Sequence, residues 1–177
     1  MGTVLVVVAV VVPLLALLLE HVGTVRFAER HHSHHDTYVV PTGFTRALVL
    51  ALILVSVAGL VLSWVCLTDV SSTDPVIVLA FTDSFVVTGF VLWLVLCRYK
   101  VSVFGDRMVI TPFLGKDVEV LYAQIERMEW VGVRRGSGMR SLDIYVGGDR
   151  AARLSSIVDV SQILMSIDRF DVLPRVA

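Results

Sequence analysis

Hydrophobic positions form three long runs in the first half of the chain and alternate with polar positions in the second half. The runs cover residues 3–19, 47–67 and 76–97. At about 1.5 Å per residue, the second and third runs are long enough to cross a hydrocarbon core of about 30 Å, and the first run is at the short end of the range for a span. The first run is rich in valine, but an isolated strand in lipid would leave its backbone unpaired. The pattern therefore predicts three transmembrane helices.

Basic residues predict the orientation of these helices. The loop 20–46 contains Arg26, Arg30 and Arg46, the connector 68–75 contains no Lys or Arg, and two cations follow residue 97. The positive-inside rule places the loop and the tail in the cytoplasm, with the N-terminus and the connector outside. A signal peptide would begin with a cationic segment, which the first three residues lack, so we expect the first span to be retained. The localisation predicted is a multi-pass protein of the cell membrane.

Two details of the spans concern helix packing. Pro13 lies within the first span, where its missing N–H leaves one backbone carbonyl without its helical partner. Ser56, Gly59 and Ser63 recur at spacings of three and four and form a stripe of small residues on the second span. Such stripes allow helices in lipid to approach closely. We therefore expect the second span to pack tightly against its neighbours.

The tail 98–177 changes to a period of two residues, which is typical of half-buried strands. Six short segments follow this pattern, separated by turns rich in glycine and aspartate: 99–103, 108–111, 118–122, 125–133, 142–146 and 152–158. Asp159 and Gln162 then form a capping-box arrangement, and apolar residues continue at helical spacing. The tail is predicted to be an α+β domain of about six antiparallel strands, in a bent sheet or partial barrel closed by one helix.

Composition agrees with a membrane protein. The chain has 177 residues, of which 56% are hydrophobic, and its mean hydropathy is +0.81. The net charge of −1 gives no basic field that would attract nucleic acid. Cys66 and Cys97 fall at the ends of two antiparallel spans, about a bilayer thickness apart, so we expect no disulfide between them.

The tail resembles the bacterial pleckstrin-homology-like domains that follow transmembrane hairpins in small membrane proteins. The resemblance rests on the order of three stretches and the closing helix: Tyr99-Lys100-Val101-Ser102, Gly105-Asp106-Arg107-Met108-Val109-Ile110, and the strand Glu119-Val120-Leu121-Tyr122 that leads to Ile125-Glu126-Arg127-Met128-Glu129. It covers about residues 98–171. It implies two bent sheets plugged by a C-terminal helix and a binding or scaffolding role, and it assigns no catalytic residue. The turn 114–117 has one cation where the family has a basic stretch.

The loop between the first two spans contains the most chemically distinctive cluster: His31, His32, His34, His35 and Asp36. Neutral imidazoles bind zinc and other transition metals, and Asp36 could add an oxygen ligand. Histidine also titrates near pH 6.5, which would allow a pH-dependent contact. The alternative is a solvated polar loop without a ligand. No cofactor is predicted beyond this metal alternative.

Asp83 is the ionisable residue within the third span. A charge at the centre of a membrane helix costs about 2–3 kcal/mol on insertion scales, and less near the end. The other spans contain no Lys or Arg to pair with it. The hydroxyls of Ser56, Ser63 and Thr88 are candidate hydrogen-bond donors to its carboxylate. One interpretation is a carboxylate near the outer interface, hydrated or contacting the connector. The other is a docking point for a cationic residue of a partner.

Three arginines, Arg134, Arg135 and Arg140, belong to the loop RRGSGMR. Cations near the cytoplasmic leaflet gain about 1 kcal/mol each, so the loop could contact anionic lipid or a partner. The alternative is a solvated hairpin loop.

Two hypotheses of function follow. The first is a membrane-anchored interaction or scaffold protein, with membrane lipids and a protein partner or a second copy as partners. The second is a small membrane protein that handles cations or senses metal or pH through the loop His31–Asp36 and Asp83. The sequence contains no nucleophile motif and no phosphate-binding glycine loop, so we expect the protein to have no enzymatic activity.

Overall fold

Three long apolar helices make up most of the first half of the chain. The computed structural model describes residues 2–28, 36–68, 73–132 and 140–168. The long helices are α1 (Gly2–Ala28), α2 (Thr42–Cys66) and α3 (Pro75–Arg98). Within the described residues these helices are long and apolar enough to cross a membrane, over Gly2–Gly23, Thr42–Cys66 and Pro75–Arg98. The length and apolar composition of these helices therefore agree with the predicted multi-pass membrane protein.

The predicted polar loop 20–46 is wrong for much of its length. α1 continues through Glu20 to Ala28, α2 begins at Thr42, and the residues before α2 form a strand, β1 (Asp36–Val39). Glu20 does not end α1 because its carboxylate has partners on the next helix. Thr45 donates a hydrogen bond to it at 3.1 Å, and the Arg46 guanidinium lies 3.8 Å away.

The second and third helices pack through glycine. A methyl group added at Gly59 would overlap the side chain of Thr82, and one added at Gly89 would lie 2.6 Å from Leu52. These two contacts run in opposite directions along the helices, so α2 and α3 are antiparallel. Ser56, Gly59 and Ser63 are all buried, which confirms that the stripe of small residues is a packing surface.

The first helix is joined to the second at its proline. Pro13 has no N–H to donate to the carbonyl of Ala9, four residues earlier. The Ser56 hydroxyl, on α2, donates a hydrogen bond to that carbonyl. A serine of the neighbouring helix thus replaces the missing helical bond, which in lipid no water would replace.

Among the described residues, seven strands form two antiparallel sheets; β1 is joined in them by six strands that follow α3. After β1, the strands are β2 (Lys100–Val103), β3 (Arg107–Thr111), β4 (Val118–Leu121), β5 (Arg127–Val131), β6 (Ser141–Val146) and β7 (Asp149–Leu154). One sheet has the order β1-β2-β3-β4 and the other β5-β6-β7. A short 3-10 turn, Tyr122–Gln124, joins the two sheets, so the predicted strand 118–122 ends one residue earlier, at Leu121. The predicted architecture, long apolar helices followed by an α+β region with antiparallel sheets, is therefore confirmed.

The first sheet uses a strand from outside the predicted tail. Asp36 of β1 pairs with Val103 of β2, and Val39 pairs with Lys100. The compact β unit therefore contains the segment up to Pro41 as well as the chain from Cys97 onward. Because hydrogen-bonded neighbours lie on the same side of a membrane, residues 40–99 must leave that side and return to it. The pairing thus requires α2 and α3 to cross as a hairpin.

A single apolar core holds this unit together. Val101, Met108, Met128, Leu142 and Ile144 are among its fully buried residues. The last helix, α4 (Val160–Ile167), adds four apolar side chains to the same core: Val160, Ile163, Leu164 and Ile167.

The start of α4 confirms the predicted cap. The Asp159 carboxylate accepts hydrogen bonds at 3.1 Å from the backbone N–H groups of Ser161 and Gln162. A second bond fixes the helix on the sheet, since the hydroxyls of Tyr38 on β1 and Ser166 lie 2.6 Å apart.

Replacing Ser56 by alanine should destabilise the helix bundle by about 1 kcal/mol, because the Ala9 carbonyl would lose its donor. In a Pro13→Ala background the same replacement should cost little, because alanine 13 restores the helical N–H. Reversible unfolding in a bilayer mimetic would measure this double-mutant cycle. Ser84→Ala is the matched control, since the Ser84 hydroxyl bonds only within its own helix, to Phe81. Equal costs of Ser56→Ala in both backgrounds would contradict the coupling.

Candidate functional site

Asp83 lies on the packing face of α3. Its residue surface is 5% exposed, and Leu79, Val86 and Trp93 are buried with it along the same helix. Eight residues separate it from Pro75, which places it about 12 Å from the start of the helix. This burial within the bundle does not favour a hydrated carboxylate, and both interpretations of Asp83, a group near the outer interface and a docking point for a partner's cation, stay predictions.

The start of α3 lies close to the start of the first helix. A methyl group at Gly2 of α1 would lie 3.9 Å from Val76. Val76 precedes Asp83 by seven residues, and residues seven apart lie on the same side of a helix. Thr82, the neighbour of Asp83, faces Gly59 of α2.

Neither carboxylate oxygen of Asp83 has a hydrogen-bond partner among the described residues. The hydroxyls that the sequence offered as partners are engaged with backbone carbonyls. Ser56 donates to Ala9, Ser63 to Pro75 at 3.5 Å, and Thr88 to Ser84 at 2.7 Å. The adjacent Thr82 hydroxyl donates within its own helix, to Val78.

Such a carboxylate has a limited chemistry. An ionised group in this position would have neither water nor a donor to stabilise its charge, which is expensive in a low-dielectric bundle. It can be stabilised by a proton on the carboxylate, or by a cation that reaches it. Asp83 is thus the described intramembrane group best placed to bind either one.

A second site lies in the β unit, between the two sheets. A cleft of about 400 Å³ opens beside β4 and β7, the neighbouring edges of the two sheets. Its walls are mainly apolar, with hydroxyl and guanidinium groups at the sides. The residues that line it are Tyr99, Ile110, Pro112, Phe113, Val118, Ser141, Arg150, Ala151, Ala152, Arg153 and Ser155.

Tyr99 fixes one wall of this cleft. Its ring stacks on Phe113 with the centroids 4.4 Å apart, and its hydroxyl accepts a hydrogen bond from the Ser155 N–H at 2.8 Å. Burial raises the pKa of the Tyr99 hydroxyl above its usual value, so the group stays neutral at physiological pH. The hydroxyl therefore joins β7 to the strand that leaves the membrane without adding a charge.

The guanidinium groups beside the cleft are held by a buried carboxylate. Asp143 on β6 is 3% exposed. Arg153 donates two hydrogen bonds to it, at 2.6 and 2.8 Å, and Arg150 lies 3.8 Å away. The hydrogen bonds from Arg153 lower the pKa of Asp143 below its usual 3.8, although burial opposes them. Two guanidinium groups for one carboxylate leave a net positive charge beside the cleft.

The cleft can therefore bind a particular kind of group. Its apolar walls suit an aliphatic or aromatic side chain, and the excess cation suits an anionic group attached to it. The unjoined edges of β4 and β7 also present backbone groups that an extended peptide could pair with.

The predicted metal and lipid sites are only partly within the described residues. His31, His32, His34 and His35 lie outside them, and Asp36 is an exposed residue at the start of β1. In the part of the chain that the structure describes, no three His, Cys, Asp or Glu side chains come together as metal ligands.

The predicted arginine loop is likewise only partly within the described residues. Arg134 and Arg135 also fall outside the described residues, and Arg140 is exposed immediately before β6. Contact of Asp36, Arg134 or Arg140 with a metal or lipid stays a prediction.

Sequence reasoning did not identify Asp143, Arg150 or Arg153. The alternation of Leu142, Asp143 and Ile144 placed the aspartate on the solvent side of its strand. Its burial comes from the cross-strand pairing of Asp143 with Arg153, a register that no local pattern shows. An acidic residue in a strand whose neighbour carries two arginines was the available signal.

Comparisons of the chain with protein-family models, curated proteins and solved structures find no match.

Replacing Arg153 by methionine should destabilise the β unit by about 2 kcal/mol, because Asp143 would stay buried with only Arg150 as a partner. This is less than the cost of breaking a fully enclosed pair, since Arg153 is half exposed. Asp143→Asn in the same chain should restore much of the loss. Hydrogen exchange of the β6 and β7 amides in the full-length protein would measure both effects.

The pair should also make stability depend on pH. Because folding lowers the pKa of Asp143, its stabilising contribution is complete above the usual value of 3.8 and is lost as the pH falls through the lower folded value. Asp143→Asn should remove this part of the acid sensitivity.

Arg107→Met is the control for Arg153→Met, because Arg107 and Glu119 form an exposed pair at 2.9 Å. An equal loss in Arg107→Met and Arg153→Met would contradict the special role of Asp143.

Proposed function

We propose that the chain is a membrane-anchored interaction protein. Three helices hold a pleckstrin-homology-like domain at the cytoplasmic face of the cell membrane, where it binds a protein partner as a subunit or accessory of a membrane assembly. The role proposed is binding rather than catalysis. Arg98, the last residue of α3, and Lys100 support the cytoplasmic assignment through the positive-inside rule.

The assignment to pleckstrin-homology-like domains is supported by the arrangement of the strands. The resemblance implies two bent sheets plugged by a C-terminal helix, and the described residues form two antiparallel sheets with α4 packed on their shared core. The first strand, β1, precedes α2, so the hairpin α2–α3 is inserted between the first two strands of the domain. The end of β1 is thus connected to α2, and the start of β2 is connected to α3.

The cleft between β4 and β7 is the observation that carries the proposal. It combines apolar walls, an excess of positive charge and two unjoined strand edges. A segment of a partner with an apolar side chain and a carboxylate would match these features. Peptide binding at sheet edges uses backbone hydrogen bonds for affinity and pockets for specificity.

Filling the cleft should abolish partner binding. Ala151 lines the cleft and is partly exposed, so Ala151→Trp occupies its volume without opening the core. We expect a stoichiometric partner, recovered with the unaltered protein in gentle detergent, to be reduced at least about tenfold, a loss of about 1.4 kcal/mol or more. Asp106→Trp, in the exposed turn before β3, is the matched control and should bind normally.

Two outcomes would contradict the proposal. Undiminished binding by Ala151→Trp would exclude the cleft as the binding site. Recovery of lipid alone with the unaltered protein, with no partner and no second copy, would exclude the interaction function itself.

The burial of Asp83 favours a second candidate function: a small protein that handles cations or protons, or senses metal or pH, through Asp83 and the loop His31–Asp36. Its support is a carboxylate that is 5% exposed and has no described hydrogen-bond partner. Intramembrane carboxylates of this kind commonly serve ion or proton pathways. The first helix, which contains Pro13, approaches α3 at Val76, two turns before Asp83.

Vesicles loaded with pH-sensitive and zinc-sensitive dyes would test this candidate. The unaltered protein should transport protons or zinc, and Asp83→Asn, which keeps the shape of the side chain, should abolish transport. Asp74→Asn is the control, since Asp74 is an exposed aspartate that caps the same helix through the Val76 N–H at 2.8 Å. Equal transport by Asp83→Asn and the unaltered protein, or none by either, would reject this function.

A further inference from the structure

The turn between β3 and β4 exposes the most solvent-accessible of the described large apolar side chains. Leu114 is 76% exposed. In the β unit only Met165 on α4, at 71%, is comparable among the described residues. Gly115 follows with a φ of 105°, a left-handed conformation that favours glycine and turns the chain back. Moving a leucine side chain from water into an apolar medium gains about 1.5–3 kcal/mol, so an apolar surface within reach of Leu114 would be a favourable contact.

Two contacts fix this turn beside the end of the third span. The guanidinium of Arg98, the last residue of α3, donates a hydrogen bond to the Gly115 carbonyl. The ring of Tyr99, the next residue, stacks on Phe113, which precedes Leu114. Leu114 therefore lies between two residues that are bound to the segment where the chain leaves the membrane.

The length of α3 sets the depth of that segment. Its 24 residues span about 36 Å, which exceeds a hydrocarbon core of about 30 Å. Arg98 is the first cation of α3, so it belongs at the level of the lipid headgroups. A turn held by the side chain of Arg98 is then within reach of the same level.

We propose that Leu114 inserts into the interface of the leaflet in which α3 ends, so that this turn is a lipid contact of the β unit. The occupant is a lipid surface, because the contacts that hold the turn come from the interfacial residues Arg98 and Tyr99. Lys116 and Asp117 are both exposed and their charges cancel, so the apolar side chain makes the contact. This contact does not depend on the cleft or on Asp83.

A nitroxide label on Leu114→Cys would test the contact in the full chain. Cys66 and Cys97 are first replaced by alanine, and the protein is reconstituted into vesicles of phosphatidylcholine and phosphatidylglycerol. Collision of the label with oxygen, which concentrates in lipid, is compared with collision with a water-soluble nickel chelate. Met165→Cys, equally exposed on α4, is the matched control.

We expect oxygen collisions to exceed nickel collisions at position 114 and the reverse at position 165. A fluorophore attached to the same cysteine should be quenched more strongly by brominated lipid at position 114 than at position 165, which gives a second readout. Nickel collisions that dominate at position 114 would overturn the proposal. Protection from both reagents would overturn it too, since a protein would then cover the turn. Equal lipid-like values at both positions would exclude a contact specific to Leu114.

Arg98→Gln provides a further arm. Removing the guanidinium should shift the label at position 114 toward water, because the Gly115 carbonyl loses the donor that holds the turn at the interface. An unchanged oxygen-to-nickel ratio in this variant would overturn the role assigned to Arg98 in positioning the turn.

Discussion

The pairing of β1 with β2 is the constraint on which the arrangement of this protein depends. These strands are neighbours in the sheet, yet a hairpin of two membrane helices lies between them in the chain. The sheet can close only when both of its flanking segments are on the same side of the membrane. The pairing therefore agrees with two crossings, by α2 and α3, between the two strands, and β1 and β2 are joined in the chain to different helices.

Within the membrane, the equivalent requirement is that backbone groups find partners without water. Pro13 removes one helical bond from α1, and the Ser56 hydroxyl supplies the replacement. Gly59 of α2 lets Thr82 of α3 approach closely, and Gly89 of α3 does the same for Leu52 of α2. Polar and small residues here hold the helices together, because apolar side chains in lipid gain little by leaving it.

Periodicity predicted the three spans, the strands of the tail and the helix capped by Asp159, because each depends on local pattern. It missed β1, since Asp36–Val39 acquires strand structure only through pairing with residues more than sixty positions later. It ended the first span at Glu20 because the partner that allows α1 to continue, Thr45, is on another helix. The site residues divide in the same way: Asp83 was conspicuous from composition, whereas Asp143 depended on strand register.

The two buried aspartates show how burial alone fails to separate structural from functional carboxylates. Asp143 and Asp83 are 3% and 5% exposed, respectively. Asp143 has two guanidinium groups around it, so its charge is compensated and its burial is explained by the stability of the sheet. Asp83 has no hydrogen-bond partner among the described residues, so nothing in that part of the chain compensates a charge on it. The difference in partners, rather than in exposure, is the reason why the proposed cation or proton site is at Asp83 and not at Asp143.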